Sequence, residues 1–147
     1  MYLIDKTYFR NKLQISGLYD GNNGIETKLD DYISIYVIDF LQKLLGVDFE
    51  ELKANITDGV LDAGAPQKWL DLINGKTYTK DGKTYIWKGL LYQNGSVKLS
   101  ILANVVYCNL IHDLVTGNGQ ISVDVKSSRM LLPRKNYIEV WNEIANQ

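Results

Sequence analysis

The sequence predicts a mainly α-helical fold, a small bundle of about four to five helices with one β-hairpin and a start compatible with a short extended N-terminal arm. Apolar residues recur at helical spacing in 29–45 and 97–115, which predicts two long helices. An Asp-Gly pair between β-favouring residues, within 76–88, predicts the hairpin. The chain has 147 residues, so we expect a single domain, 1–147, in which 1–26 form an N-terminal arm and loop.

The first long helix is predicted over 29–45, where Leu29 and Ile33 begin a stripe of apolar residues. Further apolar residues widen this stripe, so we expect burial on two sides, or on one side plus a subunit interface. Gly46 suits the left-handed end of a helix. A short helix is predicted next, over 49–55.

The middle of the chain is predicted to hold a loop and one short helix. Residues 57–65 contain two glycines and show no periodicity, which is typical of a loop. Pro66 then starts a short helix over 67–73, since proline is favoured in the first turn.

The hairpin is the clearest local feature of the sequence. Asp81-Gly82 forms a two-residue turn, which places Thr79 opposite Thr84 and the tyrosines on either side of them opposite each other. An isolated hairpin is marginal in water, so its aromatic residues must pack on the body of this subunit or on a neighbour. The chain also has ten tyrosines and three tryptophans, which suit protein interfaces.

The second half of the chain is predicted to contain two further helices. Asn94 or Ser96 can cap the long helix over 97–115, and its apolar residues lie almost all the way round. A helix of this kind is usually the central one of a bundle. Pro133 opens the predicted C-terminal helix, 133–147.

The charge balance limits the possible partners. Lysine and arginine (16) nearly match aspartate and glutamate (17), which gives a net charge of −1. Sequence-independent nucleic-acid binding needs a concentrated basic surface, so this balance argues against it. No segment approaches the roughly 18 consecutive apolar residues that cross a bilayer. The N-terminus has no basic start followed by a long apolar stretch, so we expect no secretion signal.

The residues that could carry chemistry are few. His112 is the only histidine and Cys108 the only cysteine, so the usual zinc sites cannot form within one chain. Asp113 follows His112 directly, and we expect the two side chains to lie on different helix faces and not to form a relay. The carboxylates that lie close to one another elsewhere in the sequence are typical of helix starts and solvated surfaces. The sequence therefore predicts no enzyme, with no catalytic, cofactor-binding or metal-binding residues and no cofactor.

Four lysines surround the hairpin. Lys80 and Lys83 flank its tip, and Lys76 and Lys88 lie at its base. They indicate either a solvated hairpin whose charges protect its exposed edges, or a contact with nucleic acid or an acidic partner.

Several motifs also occur in an order that is similar to one known family. They are Phe40-Leu41-Gln42-Lys43-Leu44-Leu45-Gly46, then Trp69-Leu70-Asp71-Leu72-Ile73-Asn74-Gly75-Lys76-Thr77-Tyr78, Trp87-Lys88-Gly89-Leu90, Leu102-Ala103-Asn104-Val105-Val106-Tyr107, and a last helix with Tyr137 and Trp141-Asn142. In this order the chain resembles the small head–tail connector (adaptor) proteins of tailed bacteriophages, of the type found in Bacteroidetes phages. The similarity covers roughly residues 28 to 147.

The resemblance implies a structural virion protein. Its subunits would form a homo-oligomeric ring, commonly of about twelve copies, between the portal protein and tail or other connector proteins. DNA would pass through the channel without sequence-specific binding, and the ring would be assembled in the bacterial host cytoplasm and reside at the neck of the virion. No membrane contact is implied.

The same resemblance suggests which segments reach neighbouring subunits. They are Met1–Ile4, the hairpin and Ile121–Leu132. The candidate interface residues are Tyr2, Ile4, Tyr78, Lys80, Lys83, Tyr85 and Trp87. The alternative function is a small accessory or regulatory binding module that contacts nucleic acid through the lysine-flanked hairpin.

Overall fold

The computed structural model of the chain describes residues 2–21 and 23–116. Within these residues, two long helices pack on each other, and the strands form three separate two-stranded antiparallel sheets. Short 3-10 turns at Lys6–Tyr8 and Asn11–Leu13 precede the first helix, and a third follows it. The elements are α1 (Asn23–Leu45), α2 (Phe49–Ala54), β1 (Ile56–Thr57), β2 (Val60–Leu61), α3 (Gln67–Asn74), β3 (Lys76–Lys80), β4 (Lys83–Trp87), β5 (Leu91–Asn94), β6 (Val97–Ser100) and α4 (Ile101–Thr116).

The prediction of a mainly α-helical bundle with one hairpin is wrong. The described residues contain three hairpins, and only α1 and α4 are long helices, with 23 and 16 residues. The predicted helix 133–147 and the segment Ile121–Leu132 lie outside the described residues. No helix in the described part of the chain combines the length and the apolar character needed to cross a membrane.

The second long helix begins four residues after the predicted start at Val97. Val97 and Leu99 alternate with polar residues and pair with β5 across a turn at Gly95, whose φ is +60°. The helix begins at Ile101, and Ser100 caps it, because its hydroxyl accepts hydrogen bonds from the backbone N–H groups of the next turn. The apolar strand β6 runs directly into the apolar helix α4 with no change in composition. Periodicity alone therefore does not show where the strand ends and the helix begins.

The predicted loop 57–65 contains the first hairpin. Asp58 and Gly59 have φ values of +50° and +81°, the left-handed conformations that a two-residue hairpin turn requires. The turn pairs Thr57 with Val60. The Asp-Gly signal was the same as in the predicted hairpin, but the flanking strands have only two residues each.

The first helix begins at Asn23, six residues before the predicted start at Leu29. Its buried stripe holds Leu29, Ile33, Val37 and Leu41, each 0–2% exposed. The opposite side is open to solvent, where the Ile35 side chain is 58% exposed. One face of α1 is therefore in the core, and an apolar residue remains on the other. Gly46 follows with a φ of +56°, which confirms the left-handed helix end.

The core lies between α1 and α4. On α4, Leu102, Val106 and Leu110 are almost fully buried. The N-terminal segment contributes to the same core through Ile4 and Phe9, which are 4% and 0% exposed. The short helices α2 and α3 confirm the predictions to within one residue at each end and add Phe49, Leu52, Trp69 and Ile73 to the core.

A polar contact also joins the two long helices. The Tyr32 hydroxyl of α1 donates a hydrogen bond to the Asp113 carboxylate of α4. We expect Tyr32→Phe to lower the free energy of unfolding by about 1 kcal/mol, because a half-exposed hydrogen bond to a charged group is lost. Urea denaturation at neutral pH measures this difference, and Tyr36→Phe on the same helix is the control.

The loss in Tyr32→Phe should depend on pH. The Tyr32 hydroxyl, followed by His112, holds the pKa of Asp113 below its usual value of 3.8. A carboxylate whose pKa is lower in the folded state stabilises the fold above its unfolded pKa, and this stability is lost as the pH falls through the folded pKa. The native protein and Tyr32→Phe should therefore converge in stability as the pH falls below 3.8 and through the folded pKa of Asp113. A difference that stays constant while the Asp113 carboxylate becomes protonated would contradict the assignment.

Candidate protein-interaction surface

The hairpin β3–β4, here called the arm, has the predicted turn and register. Asp81 and Gly82 form the turn with φ values of +52° and +72°. Thr79 pairs with Thr84, and the flanking tyrosines lie opposite each other. The strands extend for five residues each, so the arm is the longest hairpin of the described chain.

The arm stands free of the rest of the described subunit. Every residue of β3 and the first four of β4 are exposed. The Tyr78 and Tyr85 rings stack with their centroids 5.5 Å apart, and the side chains are 45% and 43% exposed. Ile86, on the opposite face, is 61% exposed. Both faces of the arm therefore present apolar surface to solvent.

The root of the arm is firmly attached to α3. The Trp87 indole N–H donates to the Leu72 carbonyl at 3.1 Å, and the Leu90 backbone N–H donates to the same carbonyl at 3.0 Å. Beside them, Lys76 Nζ lies 2.6 Å from the Asp71 carboxylate and is the main cause of that group's lowered pKa. Trp87 is thus committed to this subunit, while the two tyrosines beyond it are available to another molecule.

Two glycines allow the chain to cross itself at this root. Gly75 and Gly89 have φ values of +96° and +86°, which other residues rarely adopt. A Cβ atom on Gly75 would lie 2.5 Å from the Trp87 carbonyl oxygen, and one on Gly89 would lie 2.6 Å from the Asn74 carbonyl carbon. The two strand ends pass so closely that neither position has space for a side chain. Sequence reasoning missed this crossing, although glycines outside both ends of a hairpin are a signal for it.

The four lysines near the arm are not equivalent. Lys76 is paired with Asp71. Lys88 Nζ lies 4.9 Å from the centre of the Tyr92 ring, a cation–π contact. Lys80 and Lys83 face each other at the exposed tip, on either side of the turn. The free positive charge of the arm is therefore concentrated at its tip, where an acidic group would relieve the repulsion between two like charges.

The N-terminal candidates lie elsewhere on the subunit. Ile4 is 4% exposed and belongs to the core, so it has almost no surface to offer a neighbour. Tyr2 is 50% exposed and lines a cavity of about 410 Å³ together with Asp58 and Val60. No residue of the arm lines this cavity. Five of the candidate interface residues therefore lie together on the arm, and Tyr2 and Ile4 lie apart from them.

The residues considered for chemistry, Cys108 and His112, both lie on α4. Burial raises the pKa of the Cys108 thiol to about 11, so the thiol is protonated at neutral pH. The expectation that His112 and Asp113 point apart is wrong, because His112 Nδ1 lies 3.3 Å from an Asp113 carboxylate oxygen. The other oxygen of that carboxylate accepts the bond from Tyr32. Among the described residues, no group of three or more His, Cys, Asp or Glu side chains could hold a metal ion.

No protein-family model matches the chain, and neither a curated protein nor a solved structure matches it significantly. The similarity to connector proteins therefore rests on the order of the sequence motifs. The arm is the site that the geometry itself singles out.

Proposed function

We propose that this protein is a structural subunit that assembles with copies of itself, and that the assembly is a head–tail connector ring of a tailed bacteriophage. The observation that carries the proposal is the free arm, with its stacked Tyr78 and Tyr85 exposed. The assignment to a connector ring is supported in addition by the resemblance in the order of the sequence motifs. Its further partners would be a portal protein and tail or other connector proteins.

The physical argument starts from the stability of the arm. A two-stranded hairpin with both faces in water is marginal by itself. A partner that packs on one of its faces buries the aromatic residues and stabilises it. Tyrosines are favoured at such contacts because they bury a large ring and keep a hydroxyl for hydrogen bonding. The attachment at Leu72 and the crossing of Gly75 and Gly89 hold the base of the arm in place. A partner that packs on the arm therefore buries apolar area, and little conformational entropy is lost because the base of the arm is already fixed.

The alternative is an accessory or regulatory module that binds nucleic acid through the arm. Lys80 and Lys83 at the tip would contact phosphates, but Lys76 is already neutralised by Asp71. Two free lysines give a weak footprint for sequence-independent binding, whose strength grows with the number of phosphates neutralised. The stacked tyrosines, which lie two residues from these lysines toward the root of the arm, are better explained by a protein partner.

Sedimentation velocity of the purified chain, with and without duplex DNA, separates the two functions. A connector subunit should sediment as a multiple of the 16.7 kDa chain, and duplex DNA should not change its behaviour. Binding of DNA by a monomer at low micromolar concentration, with an affinity that falls as salt is raised, would favour the alternative and overturn the proposal.

A further inference from the structure

An apolar groove with a basic rim lies beside the root of the arm. One face of the hairpin β5–β6 forms one wall with Tyr92, Val97 and Leu99, since residues that pair across strands share a face. Ile86 of the arm, Leu13 and Ile101 are among the other apolar residues of the lining, and the volume is about 440 Å³. This volume is within the range of pockets that bury a small ligand and is large enough for two aliphatic side chains.

The charged residues among those described in the lining of the groove are all basic. Its lining includes Arg10, Lys12, Lys88 and Lys98, and no acidic residue is among the described residues that line it. Leu99 and Val97 are 42% and 37% exposed, so the apolar wall is open to solvent. A partner for this surface should therefore offer an aliphatic group next to one or more carboxylates.

The same chain carries such a feature at the junction of α1 and α2, here called the corner (residues 44–50). Gly46 turns the chain at the end of α1 and leaves the Val47 side chain 95% exposed, with Leu44 beside it at 50%. Asp48 follows directly and is exposed, and the Glu50 side chain is 72% exposed. The corner thus combines two aliphatic side chains with the Asp48 carboxylate and with Glu50, which forms an exposed ion pair with Lys53 at 3.6 Å.

We infer that the corner of one copy docks in the groove of the next, which joins the subunits head to tail. The two surfaces share no residue, so every copy offers both and can be linked on two sides. A head-to-tail contact closes into a ring when its rotation divides a full turn, and otherwise continues as a filament. The inference rests on the proposed function, because it adds a second contact between the assembling copies to the one made by the arm.

A mixing experiment tests the docking. Val47→Lys places a positive charge on the corner, and Leu99→Lys places one in the groove, both at exposed positions where the fold tolerates a polar residue. Each variant alone should associate at least about 30-fold more weakly than the native chain, as expected for the centre of an interface. Mixed in equal amounts, they should associate more tightly than either variant alone, into pairs of 16.7 kDa chains at the least, because the intact corner of Leu99→Lys can dock in the intact groove of Val47→Lys.

Each outcome is decisive. A mixture that stays monomeric, or a Val47→Lys variant that assembles like the native chain, overturns the docking while native assembly upholds the proposed function. A native chain that is monomeric at every concentration overturns both. Circular dichroism and the unfolding temperature of both variants identify a folding defect, and Val47→Ser with Leu99→Ser then repeat the test with smaller changes.

Discussion

Gly89→Ala is expected to destabilise the protein by about 2–5 kcal/mol. The left-handed conformation of Gly89 costs a residue with a side chain about 1–2 kcal/mol. The new Cβ atom would also meet the backbone of Ile73 and Asn74, and such overpacking against rigid atoms costs about 1–3 kcal/mol. Since small domains have a total stability of roughly 5–15 kcal/mol, this single methyl group removes a large fraction of it. Urea denaturation measures the change.

Gly95→Ala is the matched control for this prediction. Gly95 lies in the turn between β5 and β6 with a φ of +60°, but no atom lies within 4 Å of the position its Cβ would take. This variant carries only the conformational cost of about 1–2 kcal/mol. If the two variants lost the same stability, the close crossing of the strands at the root of the arm would not be a constraint on the fold.

Replacing both arm tyrosines, Tyr78→Thr with Tyr85→Thr, is expected to weaken self-association by at least about 30-fold. The two rings are the largest exposed apolar groups on that face of the arm, and they stack on each other. Trp87 lies on the same face but is only partly exposed, because its indole is held at the root by the Leu72 carbonyl. Threonine is as favourable in strands as tyrosine, so the arm should keep its register and the subunit should lose less than about 1 kcal/mol. Sedimentation velocity over a concentration series measures the association.

The opposite face of the arm provides the control for the tyrosine variant. Thr79→Ser with Thr84→Ser alters the adjacent cross-strand pair by two methyl groups and leaves both tyrosines in place. It should assemble like the native chain. If the tyrosine variant also assembled like the native chain, the arm would not be a principal contact of the assembly.

The arm could be predicted from the sequence because its signals are local. The Asp81-Gly82 turn determines the register by itself, and threonine and tyrosine on both sides favour strands. The same is true of α3, where Pro66 and the apolar spacing lie within a few residues of each other. Local signals of this kind do not depend on what the rest of the chain does.

The fold class could not be predicted because strand and helix merge at residues 97–101. Val97 and Leu99 fit both a strand and the first turn of an apolar helix, and only pairing with β5 decides between them. The apolar wall of the groove exists only when β5 and β6 pair. The sequence places these residues on a helix and therefore does not predict the groove. The contact of Trp87 with Leu72 is likewise a tertiary hydrogen bond that no local pattern reveals.

Hydroxyl-radical footprinting of the assembled and of the diluted, dissociated protein reports the solvent exposure of each arm side chain. Oxidation of Tyr78 and Tyr85 is expected to fall several-fold on assembly, because a neighbouring subunit covers them. Tyr19, which is 42% exposed and lies outside both the arm and the groove lining, is the internal reference and should keep its reactivity. Equal oxidation of Tyr78 and Tyr85 in the assembled and dissociated protein would contradict the claim that the arm is a contact surface between subunits.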